Sequence, residues 1–428
     1  MDTYSLIIGS SVVIILSFFF GEISKRTSIP SVLMLIFLGI GLQYIFPFMM
    51  DMELGGTLKT LGTIGLIMIV LEAALELELK PEKYWPIAKS FGIALVGLLA
   101  STWIAAELLM YFIDGMSSTS AWLYATPLSI LSSAIIIPSV TELRGDKKEF
   151  HIYESTFSDI LGIMLFFFLA GQLGHDSDIA GGGDHQGGGF GTFLGLTGLT
   201  VFGSLLISYV VLVVFQGIKS HTKLFLLIAV LMMFYAIGKT YHLSSLIMIL
   251  VFGLMIANMK LFFKGPMKRF LDLRKARDIY EGLHVITMET AFVIRTLFFV
   301  VFGLTIAITS LFSLEVALVS LAILLSIYLI RFVLLRLLVG KDIMPQLFVA
   351  PRGLITVLLF NDIPEVALVK GFDAGILLFV IFGTSLIMTG AMIFDKHRSG
   401  RAIKKARANP IGYTTYRVPQ VGAVKEEV

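Results

Sequence analysis

Long runs of apolar residues, separated by short polar or charged loops, follow one another along the whole chain. We count about 13 such runs, each near the 20 residues that an α-helix needs to cross the hydrocarbon of a bilayer. The pattern therefore predicts an all-α polytopic membrane protein. The predicted spans are residues 4–20, 29–49, 58–79, 85–113, 120–143, 149–173, 192–217, 222–238, 243–263, 281–310, 313–339, 345–364 and 371–395.

Two of these spans contain residues that interrupt a helix. The fifth span has prolines on both sides of Ser132 and Ser133, and the twelfth has the tripeptide "PRG" at 351–353. Each lies one span before the end of a six-helix half, with the seventh helix as a linker. Interrupted segments at matching places in two halves indicate a transporter built from inverted repeats, with its substrate site near the midplane. A purely structural origin is the alternative, since membrane helices tolerate proline.

Composition and charge agree with a membrane setting. Of 428 residues, 57% are hydrophobic and 15% charged, whereas soluble domains are about one quarter charged. Mean hydropathy is +0.90. The absence of cysteine excludes disulfides and cysteine-ligated metals. Lysine and arginine cluster in every second loop, which predicts an outside N-terminus and a cytoplasmic C-terminus. We therefore predict an integral protein of a bacterial inner (plasma) membrane that acts neither on nucleic acid nor as an enzyme, and that needs no cofactor.

Charged residues inside the apolar spans are the first candidates for function. Asp159 is eleven residues from Lys148, so it lies about 16 Å from the inner surface and close to the midplane. Arg331 is ten residues from Lys341, at a similar depth, while Glu72 lies in the third span. A charge at the bilayer centre costs roughly 2.5–3.5 kcal/mol on the insertion scale. Such residues must therefore face protein or water.

Two carboxylates on the sixth span point in different directions. Glu154 and Asp159 are separated by about 140° around the helix, so they have different functions. We expect one of them to form a permanent pair with a buried arginine and the other to remain free for a ligand. The alternative for Asp159 is a structural role as the partner of an arginine.

Five segments, in order, resemble motifs of the monovalent cation:proton antiporters. The resemblance implies the sodium/proton antiporter fold, with two inverted six-helix repeats, crossing broken helices and a homodimer formed through the first and the eighth to tenth helices. The segments are "SKRTSIPSVLMLIFLGIGL" (24–42), "GLIMIVLEAALELELKP" (65–81), "YESTFSDILGIMLFF" (153–167), "RTLFFVVFGL" (295–304) and "APRGLITVLLF" (350–360).

The resemblance also implies roles for single residues. Asp159 corresponds to the aspartate that binds cation and proton in turn, and Ser158 replaces the usual asparagine or aspartate before it. Glu154 and Arg331 fall where the sodium/proton branch has an ion pair that braces the core. Arg295 is a competing partner for Glu154, or it pairs with Glu289; we favour Arg331 because its helix immediately precedes the broken twelfth span. Glu72 resembles a glutamate that faces the ion site.

Serine residues complete the predicted ion site. Ser132 and Ser133 lie at the crossing of the broken helices, where "LSSAIIIPSV" is more similar to the branch containing potassium/proton systems. Together with Ser155 and Ser158, they offer oxygen ligands suited to a hard monovalent cation at Asp159. Arg352, beside the second break, is predicted to have a structural role, in which it holds either exposed main-chain carbonyls or a carboxylate.

These observations predict a secondary transporter that exchanges Na⁺, or Li⁺, for H⁺ by alternating access. With one titrating aspartate the exchange is expected to be electroneutral. A K⁺/H⁺ antiporter is the alternative, followed by an organic-anion symporter of similar fold or an ion channel. The predicted division is 1–113 for scaffold and dimerisation (with 85–113 in the core), 114–173 for the first core unit, 174–217 for an external glycine-rich loop and linker helix, 218–310 for scaffold, 311–395 for the second core unit and 396–428 for a cytoplasmic tail.

Overall fold

The computed structural model describes most of the chain, and no β-strand occurs in the described ranges. These ranges are 3–27, 29–45, 54–77, 79, 81–140, 143, 145–172, 190–218, 223–240, 245–262, 272–305, 313–369 and 371–408. Its helices are α1 (Thr3–Thr27), α2 (Ser31–Ile45), α3 (Leu54–Glu76), α4 (Tyr84–Phe112), α5 (Ser118–Ser129), α6 (Ser133–Ser139), α7 (Gly145–Gln172), α8 (Phe190–Phe215), α9 (Lys223–Thr240), α10 (Ser245–Ala257), α11 (Met259–Phe262), α12 (Leu273–Thr305), α13 (Leu314–Leu338), α14 (Leu354–Asn361) and α15 (Gly375–Ala408).

The helices fall on the predicted spans, and the all-α prediction is confirmed. Within the described residues, eight helical segments are long and apolar enough to cross a membrane. Apolar side chains also cover outward faces, such as Phe18 on α1 and Phe202 on α8. Residues 174–189 of the predicted unit 174–217, which form most of its glycine-rich loop, and the tail beyond residue 408 lie outside the described residues.

The fifth span is broken, but its prolines do not mark the break. Pro127 lies inside α5 and Pro138 inside α6, while residues 130–132 between them are extended. Partners distant in sequence hold this segment. Ser158 accepts a hydrogen bond from the Leu131 amide at 3.0 Å, so the break is fixed by tertiary contacts.

The twelfth span differs more from its prediction. The sequence predicts helix on both sides of the break, whereas the structure has turns at 344–348 and extended backbone at 349–353 before α14 begins. The two interrupted segments cross directly, since the Ser132 amide donates to the Pro351 carbonyl at 2.9 Å. A side chain on Gly353 would overlap Ser132, so glycine permits this close approach.

Helix packing divides the structure into two groups. The broken-helix group consists of α4, α5, α6, α7, α13, α14 and α15, and the α12 group consists of α1, α2, α3, α8, α9, α10, α11 and α12. Helix α3 contacts both groups, through α7 and α14 on one side and α10 and α12 on the other. The boundary between the groups therefore runs along α3.

Small residues allow the helices of the α12 group to approach closely. Gly39 on α2 faces Gly303 on α12, and a methyl group on either would overlap the main chain of the other helix. In lipid the hydrophobic effect does not drive helices together, and close van der Waals packing between small residues contributes to their association. The contact brings the backbones of α2 and α12 directly together.

Candidate ion-binding site

Asp159 lies in the middle of α7, beside the break between α5 and α6, and is only 2% exposed. Its Oδ2 accepts a hydrogen bond from the Ser133 amide at 3.3 Å. Its Oδ1 is buried and has no hydrogen-bond partner among the described residues. Within the same ranges no arginine or lysine lies within ion-pair distance of this carboxylate. Asp159 is therefore buried without a compensating cationic side chain.

Of the four predicted serines, Ser132, Ser133 and Ser158 lie at the break or contact it, whereas Ser155 forms hydrogen bonds within its own helix. Ser133 binds Asp159 through its amide, and its side chain also interacts with the carboxylate. Ser158 holds the Leu131 amide, and Ser155 donates to the His151 carbonyl of its own helix at 2.7 Å. Each hydroxyl oxygen that donates its proton keeps lone pairs for a cation.

Arg352 binds the main-chain carbonyls at the C-terminal end of α5, where the two interrupted segments cross. It is 2% exposed, and it donates to the carbonyls of Leu128 at 2.8 Å, Ser129 at 3.1 Å and Ala350 at 2.8 Å. A cation at a helix C-terminus offsets the partial negative charge of the unpaired carbonyls. The structure thus places Arg352 on carbonyl groups, one of the two structural roles that the sequence left open.

Glu154 and Arg331 are brought together inside the broken-helix group. The two guanidinium nitrogens donate to the two carboxylate oxygens at 2.7 and 2.8 Å, and Arg331 Nε donates to the Gln346 carbonyl at 3.0 Å. His151, one turn earlier on α7, places Nδ1 3.5 Å from Glu154. This bidentate geometry is typical of a permanent structural ion pair.

Arg295 has a different partner from those that the sequence suggested. Its guanidinium lies 3.4 Å from Glu72 and donates to the carbonyl of Ala134 at 3.1 Å. It contacts neither Glu154 nor Glu289, and Glu289 is exposed. Both alternatives named for Arg295 are therefore wrong, because α12 packs on α3 and directs this arginine toward the break.

Two small cavities lie on opposite sides of α7. A cavity of about 10 Å³ beside Asp159 is lined by apolar residues of α3, α7, α10 and α14. A cavity of about 30 Å³ beside Glu154 and Ser158 lies among α4, α5, α7 and α13. Asp159 therefore faces the boundary between the helix groups, while Glu154 faces the interior of one group.

Sequence reasoning missed His151 as a close neighbour of Glu154, although their separation of three residues on one helix was a usable signal. It also did not anticipate that main-chain groups, such as the Ser133 amide and the Ala134 carbonyl, contribute most contacts around the break. Main-chain groups carry no sequence signature. Their positions depend on where the helix unwinds, which only the tertiary structure determines.

Comparison with known proteins agrees with this architecture. The family described as "Sodium/hydrogen exchanger, transmembrane" matches residues 12–394. A structure of the sodium proton antiporter MjNhaP1 from Methanocaldococcus jannaschii at pH 8 matches with a TM-score of 0.67 and 17% identity, over 92% of this chain and 99% of that one. A structure of MjNhaP1 from an electron-microscopy map matches with a TM-score of 0.65 and 18% identity, over 96% and 99%.

At these identities the structural likeness establishes the fold alone, and the predicted sodium/proton antiporter fold is confirmed. A sequence comparison with curated proteins gives no match. The family match spans nearly the whole sequence, from α1 to the middle of α15. The chain is thus an integral membrane protein of the sodium/hydrogen exchanger family, within the monovalent cation:proton antiporters.

Proposed function

We propose that this protein exchanges Na⁺ for H⁺, one for one, through competition of the two ions for Asp159. The observation that carries the proposal is the environment of this carboxylate. It is buried at the boundary between the helix groups, one of its oxygens has no hydrogen-bond partner among the described residues, and no described cationic side chain compensates its charge. A carboxylate in such a place needs a bound cation or a proton.

The coupling mechanism follows from the cost of moving charge through a low-dielectric barrier. With either ion bound, the carboxylate is neutralised, and the site can switch from facing one side of the membrane to facing the other. Unoccupied, it carries a charge whose transfer costs several kcal/mol. Oxygens near Asp159, from Ser133, Ser158 and the unwound backbone, provide ligands for a hard monovalent cation.

The stoichiometry follows from the partners of Glu154, Glu72 and Asp159. Glu154 is held by Arg331, and Glu72 lies beside Arg295. Each of these pairs has no net charge, so it contributes no cation or proton to the cycle. Asp159 is left as the exchanging group, and one cation replaces one proton.

The moving unit in this proposal is the broken-helix group, which carries Asp159. The α12 group, including Gly39 and Gly303, forms the static scaffold and the homodimer contact. Inverted repeats, an outside N-terminus, a cytoplasmic C-terminus and a bacterial inner membrane complete the proposed arrangement. The loop pattern of positive residues supports the orientation.

The test is cation-driven exchange in proteoliposomes that contain a pH-sensitive dye. Pulses of Na⁺, Li⁺ and K⁺ are applied to the parent protein, to Asp159→Asn and to Asp114→Asn, whose aspartate is exposed in the loop before α5. We expect exchange in the parent and in Asp114→Asn and none in Asp159→Asn. Exchange in Asp159→Asn at the parental rate would contradict the site, and a response to K⁺ alone would contradict the choice of cation.

The one-for-one ratio has its own measurement. A membrane potential imposed with valinomycin and K⁺ is combined with a Na⁺ gradient, and initial exchange rates are compared with and without the potential. Electroneutral exchange predicts equal rates, because no net charge crosses the membrane. A rate that follows the sign of the potential would contradict the proposed ratio.

A further inference from the structure

Arg295 connects the two helix groups at one point. It projects from α12, its side chain is 14% exposed, and it joins Glu72 of α3 to the main chain of α6. Most of the packing of α12 is against α1, α2, α3, α9 and α10. The contact with Ala134 therefore reaches out of the α12 group into the broken-helix group.

Pro138 makes this contact possible. In an α-helix the carbonyl of Ala134 accepts a hydrogen bond from the amide four residues later, and that residue is Pro138, which has no N–H. The proline thus leaves the Ala134 carbonyl without a donor inside α6. Arg295 donates to this carbonyl at 3.1 Å.

The contact lies one residue from the ion site. Ala134 directly follows Ser133, whose amide donates to Asp159. A hydrogen bond from a charged guanidinium is stronger than one between neutral groups. Together with Glu72, Arg295 therefore fixes the position of the break relative to α3 and α12.

We propose that Arg295 is an interdomain latch, which holds the broken-helix group against the α12 group through the carbonyl that Pro138 leaves free. Arg295 is a positioning residue, because it acts on Asp159 through α6. The latch rests on the proposed function, in which the broken-helix group moves relative to the scaffold. For that movement, the hydrogen bond between Arg295 and Ala134 must break.

The natural absence of cysteine allows a direct test. Ile247→Cys places a single thiol in the cavity beside Asp159, at a position that is 5% exposed. The full-length protein in proteoliposomes is treated with a water-soluble thiol reagent, and the labelling rate is measured. This rate reports how often water reaches the boundary between the groups.

Two substitutions remove the latch by different routes. Arg295→Gln removes the charged donor, whereas Pro138→Ala gives α6 its own amide for the Ala134 carbonyl and leaves Arg295 intact. In both we expect labelling about tenfold faster than in the parent, the factor that corresponds to the loss of one charge-assisted hydrogen bond. Arg295→Lys keeps the positive charge but lacks the planar guanidinium group with its several N–H donors. It should give an intermediate labelling rate.

The matched controls are Pro127→Ala and Arg277→Gln. Pro127 is the proline of the other half-helix, and Arg277 forms an exposed pair with Glu281 on α12. Both controls should label at the parental rate. Equal rates in Pro138→Ala and Pro127→Ala would overturn the latch, and this comparison decides the matter if Arg295→Gln does not fold.

Failure of the latch can be distinguished from failure of the proposed function. Labelling of Ile247→Cys requires no cation gradient, and exchange through Asp159 is measured separately. Normal exchange in the parent with unchanged labelling in Pro138→Ala would refute only the latch. Faster labelling in a protein that exchanges no cation would leave the contact between groups in place and refute the transport proposal.

Discussion

Replacing Arg331 with methionine would leave Glu154 as a buried carboxylate that has lost its main partner. The structure gives Glu154 two guanidinium hydrogen bonds at 2.7 and 2.8 Å, and its side chain is 1% exposed. Breaking a buried pair by removing one member costs about 3–5 kcal/mol, since an uncompensated charge remains. His151, at 3.5 Å, is a weak substitute. We therefore expect a loss near the lower end of that range.

A second substitution separates the cost of the unpaired charge from the cost of lost packing. In Glu154→Gln with Arg331→Met the buried charge is absent, and replacement of both members of such a pair is often neutral or stabilising. The double variant should recover most of the stability that the single variant loses. Arg336→Met, on the same helix but exposed, is the matched control and should be near parental stability.

The assay is unfolding of the purified protein by a denaturant in lipid-detergent micelles, followed by cation-driven exchange of every folded variant. If the pair only braces the broken-helix group, the double variant should exchange with the parental dependence on cation concentration. A single variant as stable as the parent, or a double variant no more stable than the single one, would refute the assignment of Glu154 and Arg331 as a structural pair.

Three further substitutions test packing around the site and in the scaffold. Gly162→Ala would overlap Ile130 at the break, so we expect exchange to fall about tenfold or more in a folded protein, with recovery in Gly162→Ala combined with Ile130→Ala. Gly39→Ala should destabilise the protein by about 1–3 kcal/mol through contact with the α12 main chain, whereas Gly41→Ala, which meets nothing, should not. Asn258→Ala removes hydrogen bonds to main-chain groups at the end of α3 and should cost about 1–3 kcal/mol in denaturant unfolding. The contact of Gly162 would be contradicted if Gly162→Ala exchanged cations at the parental rate. The contact of Gly39 would be contradicted if Gly39→Ala and Gly41→Ala were equally stable, and that of Asn258 if Asn258→Ala had parental stability.

Charged residues were the most informative positions in the apolar spans, because the bilayer penalises them so strongly. Counting residues from Lys148 and Lys341 placed Asp159 and Arg331 at similar depths, and helical periodicity separated Asp159 from Glu154. The structure has Glu154 beside Arg331 and Asp159 facing the opposite side of α7. The separation of the two carboxylates followed from helix geometry, whereas the choice of Arg331 as the partner of Glu154 came from the resemblance to the antiporters.

The breaks were harder to predict in detail. Proline is a local signal, but α5 and α6 each contain one, and the unwound residues lie between them. The position of the break depends on Arg352, which binds the carbonyls at the end of α5, and on Pro351, which accepts from Ser132. Both are more than 200 residues away in sequence, so no local pattern could locate the break.

The partner of Arg295 was mispredicted for a related reason. Sequence spacing suggested Glu289 on the same helix, six residues away, where the two side chains do not share a face. Packing of α12 on α3 instead directs the guanidinium toward Glu72 and Ala134. Pairing between helices depends on their rotation and register, which residue spacing along one helix does not specify.

Competition between cation and proton at Asp159 is tested most directly by the pH dependence of the cation concentration that gives half-maximal exchange. Exchange in proteoliposomes is measured as a function of Na⁺ concentration at several pH values on the cation-loading side. If one proton competes with one cation for a single carboxylate, this concentration should rise about tenfold for each unit of falling pH over the acidic limb, with an unchanged maximal rate. A half-maximal concentration that stays constant while the maximal rate falls would show that the proton acts elsewhere, and would contradict a site shared by the two ions.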